Sequence, residues 1–586
     1  MKNILKNYDF IVVGGGISGI CTAISAARHG VSTALIQNRS VLGGNASSEM
    51  RVHVNGAGRG GGFRNAIESG IVLELLLANR KANPQHSFHV FDMVLWEKAH
   101  FQDNLDLYLN CHMTDVHHHN GKISSITAVQ STTEITYTFE GKYFSDNTGD
   151  GTLGALAGAD FVIGHESKDE FGESLAPLER NEEVMGSTVL FGTMDCGKPT
   201  PFTRPDWAYE YTKEMLGKRA IKHFTHGYWW IELDGKIEES EEIRGELLKY
   251  VYGVFDYIKN SGEYEGTENL ALDWITTIAG KRESRRFYGD YMLTENDVVG
   301  GVRFPDTIAY GGWTMDDHSA GGIKNINPRD EGTIWHPIDD IYTIPYRCVY
   351  SRNVENLFVG GRCFSASHMA MSSARVMATG GILGQAVGVA VSIAKREGIS
   401  PRKVGEHMEE LQQTLIKDDC YLPNIPAKDE KNLAQGENCI FTFSSALPEG
   451  KNINGDFSRK IDTTHYGWIS DIMTGEGAWI TAKFQKPVEI SQLLLRFDPD
   501  FSQILITTPD LALRKRMPPS LPYELVKDYE VIFYDQGKKV KSLEISDNFQ
   551  RVNHHYFEKI ICDEVKLQIK SNYGAENARV FDMRLY

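Results

Sequence analysis

Cysteine is scarce and scattered in this sequence. The 586 residues include eight cysteines, and no two of them form a C-x-x-C pair. Zinc sites and iron–sulfur clusters commonly use such closely spaced pairs, and disulfide frameworks are typical of small chains dense in cysteine, so this usage indicates none of them. We therefore expect reduced thiols and no metal centre. The run His117–His119 is predicted to be a solvated turn, because three adjacent histidines point in alternating directions and do not easily share one metal.

Basic residues and long apolar runs are also few. The chain carries 61 basic against 78 acidic residues, a net charge of −17, and it has no arginine-rich tract. This balance disfavours a surface that follows nucleic acid or an anionic membrane. We expect no membrane-spanning run, and the first strand begins too early to leave room for a secretion signal. These absences predict a globular protein in the cytoplasm.

The sequence does contain a strand, a glycine turn and a helix near its start. Phe10–Val13 is a short apolar run typical of a buried parallel strand, and an alanine-rich helical segment follows the turn. Gly14 permits the tight bend, Gly16 lets the backbone approach a pyrophosphate, and Gly19 lets the helix pack on the strand. The phosphates would meet the positive end of the helix dipole. The turn therefore predicts dinucleotide binding, with contacts from Gly14, Gly16, Ile17, Ser18 and Gly19.

The second predicted strand, Val31–Ile36, ends at Gln37 rather than at an acidic residue. An acidic side chain at this point normally holds the ribose hydroxyls of the adenosine. Gln37 can also donate to and accept from hydroxyls, but it lacks the charge that repels a 2′-phosphate, and Arg39 follows it. Taken alone, this strand end leaves NADP open as the ligand. The predicted contacts are Gln37, Asn38 and Arg39.

A glycine pair beyond the second strand decides between the two cofactors. The segment VLGGNASSE, which begins at Val41, closely resembles a segment of the two-dinucleotide-binding-domain flavoproteins. In those proteins a Gly-Gly pair approaches the FAD diphosphate and leads the chain under the isoalloxazine. The resemblance makes FAD the favoured cofactor. It implies contacts from Gly43, Gly44, Asn45, Ala46, Ser47 and Ser48.

Later motifs extend this resemblance to about residue 400. Gly56–Gly62 is predicted to be a loop, and strands at 105–109, 113–116 and 122–129 are predicted to form a β-meander of the kind that lies beside the adenine. Asn147–Gly151 resembles the A-T-G-D-G element that closes the FAD domain. A short strand ends in glycines near Arg362, and a helix rich in glycine and alanine is predicted over Ser372–Ala394.

The set of motifs resembles one family of flavoproteins. Its members are KRESRRFYGDYMLTE, IPYR, NLFVGGRCFSASHMA and GGILGQAVGVA, in this order after the segments above. Together they resemble the FAD-dependent oxidoreductases of the FAD_oxidored type, which are common in bacteria that degrade complex glycans. The resemblance implies noncovalent FAD, with further contacts from Met113, Thr148, Gly149, Gly361, Arg362, Gly381, Gln385 and Ala386.

The resemblance also implies an α/β fold with several domains. Residues 1–160 and 346–400 are expected to form a Rossmann-like FAD-binding domain, and residues 161–345, which are rich in tryptophan and tyrosine, an inserted α+β substrate domain. A helical segment and linker are expected over 401–436.

Residues 437–586 are predicted to form a C-terminal all-β sandwich. Short strands at 479–484, 490–497, 529–534, 540–545 and 565–569 are separated by turn residues. The phrases GAWI, KPVEIS and VFDMRLY resemble a galactose-binding-like, discoidin-type jelly roll. Such a domain binds sugar in many proteins and only packs on the catalytic domain in many others. The sequence is compatible with both hypotheses.

The reaction is predicted less directly. The chain has one glycine fingerprint and none for NAD(P), so electrons come from or go to a substrate, a transient soluble cofactor or another protein. The leading hypothesis is hydride transfer between flavin N5 and a carbohydrate-like or other polyhydroxylated small molecule, by analogy with the family. The alternatives are C=C reduction of an unsaturated acid in the manner of fumarate-reductase relatives, a hydroxylating monooxygenase, and a non-catalytic flavin-fold binding protein. The sequence leaves the oligomeric state open.

Candidate catalytic residues follow from the needs of that reaction. Hydride transfer from an alcohol requires a base near the hydroxyl and a positive or hydrogen-bonding group near flavin N1/O2. His368 is the first candidate, because it lies in a stretch that passes the isoalloxazine in related flavoproteins and because histidine titrates near neutrality. The other candidates are His318, Arg286, Tyr346 and Arg347.

Overall fold

The computed structural model describes residues 2–60 and 65–586, which fall into two compact units. The first unit contains Met1–Gly61, Gln85–Leu411 and Ile506–Lys515, and the second contains Gly62–Pro84, Gln412–Leu505 and Arg516–Tyr586. Two segments therefore group away from their sequence neighbours. Residues 62–84 belong with the second unit, and residues 506–515, which lie within the predicted sandwich, belong with the first.

Residues 2–146 supply most of the main sheet. Their elements are β1 (Lys2–Val13), α1 (Ile17–Arg28), β2 (Thr33–Ile36), α2 (Ala57–Gly60), α3 (Ile71–Ala82), α4 (Phe88–His100), β3 (Leu105–Tyr108), β4 (Cys111–His119), β5 (Lys122–Gln130) and β6 (Ile135–Asp146). The predicted loop Gly56–Gly62 is therefore wrong over its helical part, Ala57–Gly60, and its last two residues lie outside the described residues.

The remainder of the first unit begins with small elements and ends in long helices. They are α5 (Thr152–Leu156), β7 (Phe161–Val162), α6 (Lys168–Phe171), β8 (Ser187–Thr188), β9 (Phe191–Asp195), α7 (Lys213–Leu216), β10 (Glu232–Leu233), α8 (Ser240–Asn260), β11 (Leu270–Ile275), β12 (Arg286–Phe287), α9 (Glu295–Val299), β13 (Thr307–Gly311), β14 (Met315–His318), β15 (Thr333–His336), β16 (Tyr342–Pro345), β17 (Leu357–Val359), α10 (His368–Ala374) and α11 (Met377–Glu397). The strands β7 to β16 pair two by two, which gives this region its α+β character.

The main sheet has the order β3-β2-β1-β6-β5-β4, and β17 pairs with β6. The pairs β3–β2, β2–β1, β1–β6 and β6–β17 are parallel, whereas β4, β5 and β6 form an antiparallel meander. The predicted strand–turn–helix and the second strand are confirmed. The strand at 105–108 was wrongly placed in the meander, because it pairs in parallel with β2.

The three consecutive histidines do not form a turn. His117–His119 end strand β4 with exposed side chains and pair with β5, so only their solvation is confirmed. The turn falls at Asn120-Gly121, where φ is 49° and 73°. Asn-Gly adopts left-handed backbone more readily than any other common pair, so it makes the hairpin instead.

The predicted helix over Ser372–Ala394 is two helices, α10 and α11. Val376 is extended, with φ −63° and ψ 143°, and so separates them. Helix α11 packs on α1 through small residues, since a Cβ at Gly384 would lie 2.2 Å from the carbonyl oxygen of Ser18. By length and composition α11 could span a membrane, contrary to the sequence expectation, but 89% of its most apolar window is buried within the protein.

The second unit contains the predicted antiparallel sandwich. After α12 (Met408–Lys417) come β18 (Cys439–Phe443), β19 (Lys460–Ile461), β20 (Thr464–His465), β21 (Trp468–Ile472), β22 (Ala478–Phe497), α13 (Leu511–Arg514), β23 (Val526–Asp535), β24 (Lys538–Ile545), β25 (Val552–Asn572) and β26 (Asn577–Leu585), of which α13 lies in the first unit. The sheet order is β21-β26-β22-β25-β23-β24, with β18 on β22. The predicted strands 479–484 and 490–497 are one strand, β22, whose pairing shifts register between Lys483 and Val488.

Candidate active site

A cavity of about 1230 Å³ opens at the carboxyl ends of the parallel strands in the first unit. Ligands of α/β sheets bind at this edge. One wall consists of the first glycine turn, the end of β2, the segment after β6 and the segment after β17. The opposite wall comes from the region between β7 and β16. The volume exceeds the roughly 300–1,000 Å³ of most small-molecule sites, so it can hold a dinucleotide and a substrate together.

The glycines of the first turn differ in whether the surrounding protein has room for a side chain. A Cβ at Gly14 would lie 2.1 Å from the carbonyl oxygen of Asn147, and one at Gly19 would lie 1.9 Å from that of Gly14. A Cβ at Gly16 would meet no protein atom within 4 Å. Gly16 borders the cavity, and its φ of −69° is ordinary. A Cβ at position 16 would therefore clash with no protein atom, and it would take up space beside the cavity.

The second glycine pair lies directly beside the first turn. The amide of Gly43 donates to the carbonyl of Gly15 over 2.8 Å, and Gly43 has φ 105°. A Cβ at Gly44 would lie 3.3 Å from the Cα of Gly16. Two glycine segments that are separated in the sequence thus form one backbone surface, the glycine surface, at the edge of the cavity.

Gln37 braces this surface rather than presenting a free amide. Its side-chain oxygen accepts from the amide of Gly15 over 2.9 Å, and its side-chain nitrogen donates to the carbonyl of Val41 over 3.2 Å. The side chain is buried, although the residue borders the cavity. A carboxylate here would have no proton to give Val41, which is a reason for glutamine at this position.

A histidine beside two carboxylates forms the polar centre of the opposite wall. His318 Nδ1 lies 2.8 Å from buried Glu232, which also pairs with Arg282 over 2.8 Å. Burial raises the pKa of Glu232, but the charges of His318 and Arg282 outweigh it and lower the pKa. On its other side, His318 Nε2 lies 3.3 Å from Asp316 Oδ1.

An arginine completes this centre. Arg375 Nη2 lies 3.0 Å from Asp316 Oδ2 and 3.4 Å from His318 Nε2. Arg375, His318, Asp316 and Arg282 all border the cavity. Because Glu232 accepts the proton of Nδ1, the neutral imidazole has its lone pair on Nε2, beside Arg375 and Asp316.

Several donors in the cavity wall have no partner of their own. Among the described residues, the buried atoms Arg362 Nε, Arg375 Nε, Trp313 Nε1 and His223 Nδ1 make no hydrogen bond. All four side chains border the cavity. Buried donors are nearly always satisfied in native proteins, so a ligand with hydrogen-bond acceptors suits this wall.

A family model described as "FAD dependent oxidoreductase", FAD_oxidored, matches residues 9–415. The chain belongs to this family. Membership implies an FAD cofactor and oxidoreductase chemistry, and it accounts for the glycine surface. The part of the chain beyond residue 415 is not covered by the match.

Comparisons with other proteins give weaker similarities. A search of the curated proteins finds no match. A geranylgeranyl bacteriochlorophyll reductase-like protein from Thermoplasma acidophilum is 12% identical, with 71% of this chain and 86% of that chain covered and a TM-score of 0.35. A family 32 carbohydrate-binding module from Streptococcus pneumoniae EndoD is 15% identical, with 27% and 99% covered and a TM-score of 0.19. The lectin domain of lectinolysin, complexed with Lewis b antigen, is 13% identical, with 27% and 98% covered and a TM-score of 0.19.

Most of the cofactor contacts that the sequence predicts border the cavity. They are Gly14, Gly16, Ile17, Ser18, Gln37, Asn38, Arg39, Gly43, Gly44, Asn45, Met113, Thr148, Gly149, Gly361 and Arg362. The backbone cradle around Gly16 and the unpartnered Nε of Arg362 fit a diphosphate, which accepts hydrogen bonds and needs close approach.

The other expected contacts lie behind the cavity wall. Gly19, Ala46, Ser47, Ser48, Gly381, Gln385 and Ala386 do not border it. Ser47 Oγ donates to the carbonyl of Gly44 over 2.7 Å, and the carbonyl of Gln385 accepts from Ser25 Oγ over 2.9 Å. These residues shape the glycine surface and the α1–α11 contact, and Gly380 borders the cavity in place of Gly381.

His368 and Arg286 belong to a buried ionic network instead of the cavity wall. His368 Nδ1 lies 2.8 Å from Glu283, and its Nε2 lies 3.3 Å from Asp317. Arg286 pairs with Glu166 over 2.6 Å and with Glu283 over 3.0 Å. Successive residues of a strand point to opposite faces, so Asp317 meets this network while its neighbours Asp316 and His318 face the cavity.

Tyr346 and Arg347 also lie away from the cavity. The Tyr346 hydroxyl donates to the carbonyl of Pro401 over 2.6 Å, and Arg347 pairs with Asp306 over 2.9 Å. Neither residue borders the cavity. Of the five candidate catalytic residues, His318 alone borders the cavity.

Among the residues that the structure describes, one group of side chains could hold a metal ion. His165, Asp317 and His368 each place one ligand atom within 4.8 Å of the others. The rings of His165 and His368 stack with their centroids 3.4 Å apart. Both nitrogens of His368 already face carboxylates, so a protonated imidazole fills the role that a cation would take.

The stability of the protein is expected to fall from about pH 6.5 to about pH 9 because of His368. Burial lowers the pKa of His368, but Glu283 and Asp317 outweigh it and raise the pKa to about 9. A group with a raised folded-state pKa stabilises fully below its unfolded pKa, near 6.5, and loses that contribution as the pH rises through the folded value. The contribution is about 3 kcal/mol at most. Thermal unfolding midpoints across this range measure it.

Two variants isolate this effect from other titrations. His368→Gln should flatten the fall in unfolding temperature, and Asp317→Asn should move it to lower pH because one carboxylate is gone. Parallel profiles for the wild type and both variants would contradict the assignment to His368.

Proposed function

We propose that this protein oxidises an alcohol group of a carbohydrate-like molecule, with FAD as the hydride acceptor. When bound, FAD supplies an N5 position that accepts a hydride from carbon. The single observation that carries the proposal is His318, which borders the cavity and whose Nδ1 is held by Glu232. This arrangement suits a base that removes the hydroxyl proton as the carbon gives up its hydride.

The surroundings of His318 support both of its protonation states. In the neutral ring, Nε2 accepts from Arg375 Nη2 across 3.4 Å and stays free of a proton. After proton uptake, Nε2–H can donate to Asp316 across 3.3 Å. The side chains therefore hold the proton at a defined atom, and Glu232 is a positioning residue that fixes the tautomer.

The donors without partners suit a polyhydroxylated ligand. Arg375 Nε and Trp313 Nε1 border the cavity and make no hydrogen bond to the described residues. The hydroxyl oxygens of a sugar can accept hydrogen bonds from these donors without bringing a charge into the cavity. The aromatic rings of Trp229 and Trp313 at the same wall offer apolar faces for a sugar ring.

Reduction of an unsaturated acid is the second candidate. It requires cationic residues that can take a substrate carboxylate. Arg282 and Arg375 both face the cavity, but Glu232 and Asp316 already neutralise them. A substrate carboxylate would compete with these fixed partners, so the alcohol reaction is favoured. The electron acceptor that reoxidises the flavin is proposed to be an external molecule.

Anaerobic spectroscopy tests the proposal. Holoenzyme mixed with a panel of neutral sugars should lose its visible flavin absorbance. Unsaturated dicarboxylic acids should not restore the absorbance of chemically reduced enzyme. Bleaching by no sugar, together with reoxidation by an unsaturated acid, would replace this proposal by the second candidate. Oxygen consumption coupled to a hydroxylated product would indicate the monooxygenase, and inertness to every compound the non-catalytic alternative.

A further inference from the structure

The segment Ile506–Lys515 helps to line the candidate active site. The other lining residues come from parts of the first unit that are far from this segment in the sequence. It lies beyond residue 415, where the family match ends, and its sequence neighbours on both sides belong to the second unit. Its own contacts nevertheless place it in the first unit, and Asp510 borders the cavity. The lining of the candidate active site therefore includes one residue, Asp510, from outside the family region.

The segment is held in place by specific contacts. Thr508, which is fully buried, places its Oγ1 2.9 Å from His53 Nε2. The Asp510 carboxylate accepts from the amides of Ala512 and Leu513 over 2.8 and 3.0 Å and so begins helix α13. Arg514 Nε donates to the carbonyl of Thr508 over 2.6 Å. These contacts fix Asp510 on the wall.

Two stacked histidines border the cavity together with Asp510. The rings of His223 and His226 stack with centroids 4.2 Å apart. Burial lowers the pKa of both, to about 4 for His226, although the charge of Asp510 opposes the shift. Neutral imidazoles can each donate and accept one hydrogen bond. The buried His223 Nδ1 uses neither capacity with any residue that the structure describes.

Trp229 connects this wall to the catalytic candidates. Its carbonyl accepts from Arg282 Nη2 over 3.2 Å, and Arg282 pairs with Glu232, the partner of His318. Its ring meets the edge of His53, with centroids 5.9 Å apart, and His53 holds Thr508. A ligand seated at His318 can therefore continue along the ring of Trp229 towards the imidazole pair.

We infer that His223, His226, Trp229 and Asp510 form a second sugar subsite, so that the substrate is a glycoside of at least two sugar units. The inference rests on the proposed function. An aromatic face, neutral hydrogen-bonding rings and one carboxylate are a set that binds hydroxyl groups on an uncharged ring. The segment Ile506–Lys515 then determines specificity through Asp510, which the family region does not provide.

Binding of paired probes to the oxidised holoenzyme tests the inference. The probes are glucose and galactose against cellobiose and lactose, followed by titration calorimetry and by tryptophan fluorescence. The wild type should bind a disaccharide about 10-fold more tightly than its monosaccharide, the worth of one or two net hydrogen bonds. His223→Phe keeps the ring stack and should remove most of that advantage. Asp510→Asn keeps the helix cap, because asparagine also caps well, and should reduce it.

A matched control and separate outcomes keep the test decisive. His118→Phe makes the same change on exposed strand β4 and should leave all affinities unchanged. Equal affinity for both probe classes, or equal weakening of both by His223→Phe, would overturn the subsite while sugar-driven flavin reduction still supports the proposed function. If no probe binds and no sugar reduces the flavin, the proposed function fails and the subsite fails with it.

Discussion

Replacement of His318 by alanine is expected to slow flavin reduction by sugar by about 10²–10⁴-fold, the usual contribution of a positioned general base. The imidazole is the titratable group that both borders the cavity and has one nitrogen fixed by a buried carboxylate. Without it, the hydroxyl proton loses the acceptor that Glu232 holds in position at the cavity. Glu232 keeps Arg282 as its partner at 2.8 Å, so the fold and the bound flavin should persist.

Rapid-mixing absorbance of the flavin under anaerobic conditions measures this rate. His117→Ala, an exposed change on β4, is the control and should reduce at the wild-type rate. Glu232→Gln should lower the rate less than His318→Ala and change its pH profile, since it keeps the imidazole but removes the negative charge beside Nδ1 and Arg282. A His318→Ala protein that reduces its flavin at a near-wild-type rate would remove His318 from the mechanism.

Replacement of Gly16 by valine is expected to abolish FAD binding while the protein still folds. No protein atom lies within 4 Å of the position that a Cβ would take, and φ is −69°, so the chain itself tolerates a side chain. The added methyl groups would enter the cavity where backbone must approach the diphosphate. We expect the affinity for FAD to fall by at least about 100-fold, because the clash removes close contacts that cannot be made elsewhere.

Absorbance of the purified proteins and fluorescence titration with FAD measure the loss, and circular dichroism reports the fold. Gly245→Val, in helix α8, is the matched control, because a Cβ there also meets no atom within 4 Å and Gly245 itself does not border the cavity. Gly245→Val should retain FAD. Full FAD content in the Gly16→Val protein would show that the cofactor does not lie against this turn.

The glycine surface could be predicted from the sequence because backbone conformation there depends on residue type. Gly14 and Gly43 have φ 105°, which other residues rarely adopt, so their positions in the chain mark the turns directly. The roles of Gln37 could not be predicted in the same way. Its two hydrogen bonds depend on where Gly15 and Val41 lie after folding.

The polar centre was only partly predictable. His318 and Glu232 are 86 residues apart, and nothing local in either segment indicates that they meet. Arg375 lies just before the break between α10 and α11, in a segment of small residues that resembles one continuous helix. Asp510 lies in the predicted sandwich, so its place at the cavity follows only from tertiary contacts.

His368 lies close in the sequence to the expected cofactor segment, but its side chain does not reach the cavity. His368 begins helix α10, next to the expected cofactor segment, but its side chain faces Glu283 and Asp317. It is 1% exposed and does not border the cavity. Nothing in the segment around His368 indicates that it meets these carboxylates, because Glu283 and Asp317 lie in other segments of the chain. A role in the reaction would have to act through Asp317 on its neighbour His318.

Anaerobic reduction of the flavin by a sugar, compared with the same sugar deuterated at its carbinol carbons, tests the central claim most directly. The account predicts that the visible flavin absorbance disappears and that deuteration slows its disappearance several-fold, because the carbon–hydrogen bond breaks as the hydride leaves. A glycoside of two units should be the better reductant. Flavin that stays oxidised with every sugar, or that is reduced at the same rate by the deuterated compound, would contradict the account.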